Sequence, residues 1–60
     1  MKFVLFRAWT IRGRLWFWHL KATNHEIIAQ GEGYRNKDDA LDAIDLIQNI
    51  PESTPVRVIP

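Results

Sequence analysis

From Asn24 to Tyr34 the chain reads Asn-His-Glu-Ile-Ile-Ala-Gln-Gly-Glu-Gly-Tyr and runs directly into Asn36-Lys37-Asp38-Asp39-Ala40. A turn, a strand, a strand exit and a helix start follow one another with nothing between them. The segment before it, Leu15 to Ala22, alternates, with Trp16, Trp18, Leu20 and Ala22 on one face and Phe17, His19 and Lys21 on the other. With Asn24-His25 as a two-residue turn, the register follows by counting: Ala22 opposes Ile27, Leu20 opposes Ala29 and Trp18 opposes Gly31. Large residues then meet small ones on an apolar face. On the other face Lys21 opposes Ile28, His19 opposes Gln30 and Phe17 opposes Glu32, a mixed surface of the kind that binds a partner. Gly31 and Gly33 bracket Glu32 and mark a bulge or strand exit, where backbone without Cβ can turn toward the helix.

Upstream, Lys2 to about Trp9 reads as a first strand, rich in aromatic and β-branched residues, followed by a Thr10-Ile11-Arg12-Gly13 loop with Gly13 at positive φ. Downstream, Asn36 is placed to cap the helix by accepting from the Asp39 amide, and Asp38 and Asp39 suit the positive end of its dipole. Ala40, Leu41, Ala43, Ile44, Ile47 and Ile50 recur at helical spacing, and Leu46 falls outside that stripe. Pro51 ends the helix, Glu52-Ser53-Thr54-Pro55 is an extended linker, and Val56-Arg57-Val58-Ile59 is a short strand fenced by Pro55 and Pro60. The order is that of an α+β chain, an antiparallel sheet with one helix packed on one face, forming a single domain over residues 1–60.

A chain of 60 residues buries only about 60% of its unfolded surface, so its core is marginal and needs a supplement. Disulfides are excluded by the absence of cysteine, and two histidines, His19 and His25, support no structural metal. Oligomerisation remains. No apolar run approaches the ~20 residues of a membrane span, and Arg7 interrupts the N-terminal run before it resembles a secretion signal. The expectation is a cytoplasmic protein without a membrane partner. Its charge is uneven: Lys2, Arg7, Arg12, Arg14 and Lys21 precede any acid, while Asp38, Asp39, Asp42 and Asp45 gather on the helix.

Phe3 and Leu5, Gly13, Trp16, Trp18, Leu20 to Ala22, Asn24, Glu26 to Ala29, Glu32-Gly33-Tyr34, Lys37 and Ala40 together resemble the YegP-like family of very small proteins, which has no established biochemical role. The resemblance implies a β-β-β-α-β unit occurring twice in one chain or once per subunit of a homodimer, with C-terminal strands exchanged across one continuous sheet. This chain resembles the single-unit form, so Val56, Arg57, Val58 and Ile59 are the expected dimer strand. Phe17 and His19 stand where the family pattern has basic residues, and His25 replaces its turn glycine. Phe17, with Val4, Phe6 and Ile28, is left as an apolar patch in need of a cover.

No chemistry-bearing constellation emerges. His19 lies in mid-strand and His25 in the turn, Ser53 sits in a Pro-flanked linker, and Gly31-Glu32-Gly33 lacks the further glycine and βαβ context of a dinucleotide site. The reading is a non-enzymatic homodimeric module without cofactor or metal, with an interaction or structural role and an unidentified protein partner. Its candidate surface is Phe6, Arg7, Arg14, Phe17, His19, Lys21 and Ile28. The alternative uses the same aromatic and basic residues to bind single-stranded nucleic acid, although a pI near 8.2 is low for such a domain.

Overall fold

The computed structural model describes residues 1–59, so Pro60 lies outside the described residues. Three strands, β1 (Lys2–Thr10), β2 (Gly13–Lys21) and β3 (Ile27–Gln30), form an antiparallel sheet in the order β1-β2-β3, followed by one helix, α1 (Lys37–Gln48). The α+β class expected from the sequence is the observed one.

β1 and β2 pair along their whole length, from Lys2 opposite Lys21 to Thr10 opposite Gly13. Thr10 and Gly13 are therefore strand residues, and the loop shrinks to Ile11-Arg12. Gly13 takes φ +104°, a conformation that costs a residue without a side chain little. The Thr10 hydroxyl donates to the Gly13 carbonyl at 2.8 Å and accepts from the Arg12 N–H at 3.1 Å, closing the turn.

The second hairpin corrects part of the counted register. Leu20 faces Ala29, His19 faces Gln30, and the Gly31 N–H donates to the Trp18 carbonyl at 3.0 Å, as counted. Toward the turn, however, Ala22 donates to the Glu26 carbonyl at 2.8 Å and Lys21 faces Ile27, not Ile28. The loop is Thr23-Asn24-His25, one residue longer than counted, and His25 supplies its left-handed position at φ +67°. A bulge between Leu20 and Lys21, with Ile28 as the extra residue, restores the register. A second irregularity follows Gly31: Tyr34, not Gly33, pairs with Trp16, through N–H to carbonyl bonds of 2.7 and 2.8 Å.

The helix covers the face carrying Phe3, Trp16, Trp18 and Leu20. Trp18, Ala40 and Ile44 are buried, Phe3 meets Trp18 edge-on at 5.8 Å, and Lys37 and Ile47 reach the sheet near opposite ends of α1. Leu15 is buried on the other face, against Gly33. Asn36 has the extended backbone of a cap, yet its amide donates to the Asp39 carboxylate at 3.3 Å, so the expected bond from the Asp39 N–H is not made. α1 also ends before Pro51. The Asn49 side chain donates to the Asp45 carbonyl at 2.8 Å and closes the helix, leaving Ile50 outside it and exposed. Pro51 to Thr54 is a turn and not an extended linker, with the Thr54 N–H bonded to the Pro51 carbonyl at 3.0 Å.

Val56 to Ile59 form no strand within this chain, and Val56, Val58 and Ile59 are exposed. Leu41, Leu46 and Ile50 are exposed as well. The accessible surface is 5241 Å², whereas a folded monomer of this mass exposes about 4,100 Å². The radius of gyration, 13.4 Å, likewise exceeds the about 10 Å of a compact chain of this length.

Candidate functional site

Strand alternation and the β1–β2 register divide the sequence-derived surface between two faces. Val4 lies opposite His19 and Phe6 opposite Phe17, so Val4, Phe6, Phe17, His19 and Lys21 share the face away from the helix. Phe6 is the centre of this cluster. Its ring stacks on Phe17 at 5.8 Å and 22° and meets the His19 imidazole edge-on at 4.8 Å. Phe6, Phe17 and His19 are half-buried on the face opposite the one α1 covers, with the Gly33 backbone close against the Phe17 ring. Ile28, set outward by the bulge, is about half exposed at the neighbouring edge.

Arg7 and Arg14 do not belong to that surface. Their register partners are Trp16 and Trp9, which places both arginines on the helix side. The Arg7 guanidinium lies 5.2 Å from the Trp16 ring centre, the Lys37 ammonium 5.6 Å from the same ring, and Arg14 5.9 Å from Trp9. Trp16 is thus shared by a strand cation and a helix cation, each held by the negative face of the indole. Counting along β2 alone puts Arg14 with Trp16. Placing Arg7 requires the pairing of two strands, which the first hairpin's loop length decides.

A cleft of about 520 Å³ opens between the sheet and the C-terminal end of α1, lined by Met1, Lys2, Phe3, Leu20, Ile47 and Gln48. Lys2 is its one ionisable side chain, so it offers space and apolar surface without an acid–base pair. Among the described residues, no group of three His, Asp or Glu side chains is placed to hold a metal ion. His19 is held against Phe6 in mid-strand, and His25 serves the turn. No helix is long and apolar enough to cross a membrane among the described residues.

Residues 14–57 match the model of a family described as a domain of unknown function, DUF1508. A UPF0339 protein of Neisseria meningitidis serogroup B is 52% identical over 42 residues, covering 70% of this chain and 75% of that protein. A UPF0339 protein of Neisseria meningitidis serogroup A matches to the same extent. The resemblance read from the sequence points to the same small, uncharacterised group of proteins.

Proposed function

The chain belongs to the DUF1508 family, whose function is unknown, and on that premise we propose that it acts as a non-enzymatic homodimeric interaction module whose subunits exchange their C-terminal strands. The observation that carries this reading is the surplus of roughly 1,100 Å² of accessible surface over a compact monomer of the same mass. Two such surpluses amount to about 2,200 Å², the range of interfaces between permanently paired subunits.

The exchange has a physical logic. Val56, Arg57, Val58 and Ile59 are β-prone, exposed and unpaired in their own chain. The free edge of β1 runs straight from Lys2 to Thr10 without proline or bulge, the kind of edge that proteins otherwise cover. β3, by contrast, has four residues and irregularities at both ends. A partner's Val56–Ile59 strand laid along β1 would also bring alternate side chains beside the cleft at Phe3 and Leu20, which opens next to that edge.

Dimerisation of this kind leaves Phe6, Phe17, His19, Lys21 and Ile28 as the surface for a protein partner in the cytoplasm. The nucleic-acid alternative needs aromatic and basic groups side by side. On the Phe17 face the register places Lys21 and its partner Lys2, each four residues along its strand from Phe17 and Phe6 respectively, while Arg7 and Arg14 lie on the other face.

Sedimentation equilibrium tests the reading directly. The full chain is expected to sediment as a dimer, and a chain lacking residues 56–60 as a largely unfolded monomer by circular dichroism. A well-folded monomer in either case would overturn the exchange.

A further inference from the structure

The β1–β2 hairpin extends past the part of the sheet that the helix covers. α1 begins at Lys37, beside Trp16, and runs back toward Phe3 and Leu20. Beyond Trp16 three more register pairs lead to the turn, a projection of roughly 10 Å at the rise of a strand. At its apex Ile11 is 106% and Trp9 79% exposed. Arg12 follows Ile11 in the turn, Arg14 lies over Trp9, and Arg7 stands one residue pair further back on that same face. No acid occurs in the chain before Glu26.

The turn also satisfies part of its own polarity. The Thr10 hydroxyl takes up both the Gly13 carbonyl and the Arg12 N–H, groups that would otherwise need water. That lowers the cost of moving the apex out of water.

We propose that this tip docks on an anionic lipid surface, with Ile11 and Trp9 entering the headgroup region and Arg7, Arg12 and Arg14 meeting lipid phosphates and carboxylates. Indole rings favour that depth, and guanidinium groups reach back from an apolar body to charged headgroups. Single-stranded nucleic acid is a poorer occupant. It would use aromatic planes and cations, but it gives nothing to the aliphatic Ile11, and Arg14 already lies over Trp9. Trp9, Ile11 and Arg12 lie outside the family match over residues 14–57, so the inference concerns this chain and stands apart from the strand exchange. A search for long apolar runs misses such a site, because a hairpin apex contributes only isolated residues to it.

Flotation of the full chain with phosphatidylcholine vesicles, with and without phosphatidylserine, tests the proposal at low and high salt. Flotation only with phosphatidylserine, weakened by salt, is expected. Arg12→Gln should weaken it about fivefold. Ile11→Asn, at a fully exposed position, should weaken it at least as much with an unchanged circular dichroism spectrum. No flotation at low salt overturns the proposal, as does undiminished flotation of Ile11→Asn, which would leave charge attraction alone. Binding of a single-stranded oligonucleotide by protein that ignores the vesicles overturns it too. So does loss of self-association in Ile11→Asn, because the tip would then be buried between copies.

Discussion

The indole of Trp18 occupies the space that a side chain at residue 31 would need. A Cβ built on Gly31 would overlap the ring, while the Gly31 N–H donates to the Trp18 carbonyl at 3.0 Å. The largest side chain of the core therefore rests on bare backbone just beyond the end of β3. Its Nε1 is buried there without a hydrogen-bond partner among the described residues, a cost set against the packing of the ring.

Gly31→Ala should consequently destabilise the fold by about 1–3 kcal/mol, the usual penalty for forcing volume into a filled core. In a domain of this size each kcal/mol lowers Tm by about 4–8 °C, so thermal unfolding resolves the effect easily. An unchanged Tm would mean that Trp18 has room to swing away.

His25 calls for the opposite substitution. At φ +67° it holds the left-handed position of the second hairpin loop, a conformation that costs an ordinary residue about 1–2 kcal/mol. Glycine avoids that cost and gives back part of the gain through a more flexible unfolded chain. His25→Gly is expected to raise stability by up to about 1 kcal/mol, read as a higher urea midpoint at constant slope. A lower midpoint would show that the imidazole itself holds the turn.

These two sites mark what the sequence discloses and what it hides. Strand alternation and a glycine opposite a tryptophan were sufficient to place Trp18 over Gly31, because period-two geometry leaves one answer once the register is right. The same counting misplaced Ala22 and Lys21, since a three-residue loop followed by a bulge shifts pairing near the turn and restores it two residues later. Arg7 went to the wrong surface for a related reason: which face a residue takes on β1 depends on a loop whose length Thr10 and Gly13 decide by pairing with each other, whereas the alternation along β2 alone already sets Arg14 beside Trp16 and away from Phe17. The helix stripe was legible as far as Ile47. Its end was not, because Asn49 closes the helix through its side chain before Pro51 is reached.

The Phe6 cluster gives a third expectation. Phe6 stacks on Phe17 across the β1–β2 pair, and such aromatic pairs contribute about 0.5–1.5 kcal/mol beyond the area they bury. A double-mutant cycle of Phe6→Leu and Phe17→Leu should return a coupling energy in that range. Coupling near zero would mean that the rings are placed by burial alone, and would remove the reason to treat them as one surface.

The start of α1 is the place where a familiar sequence signal and the structure part. Asn36 precedes Lys37-Asp38-Asp39 and has cap-like backbone angles of φ −108° and ψ 138°, yet its side chain donates to the Asp39 carboxylate instead of accepting from a helix N–H. Replacing a working asparagine cap by alanine costs about 1 kcal/mol. Here the lost contact is an exposed bond at 3.3 Å between side chains, so Asn36→Ala should cost less than about half of that. Asn36→Ser tests the same point from the other side, because a hydroxyl at this position can accept from the amide that Asn36 leaves free, and the helix should gain stability. Chemical denaturation of the two variants separates the possibilities: a full 1 kcal/mol loss for alanine with no gain for serine would show that Asn36 caps the helix in solution after all.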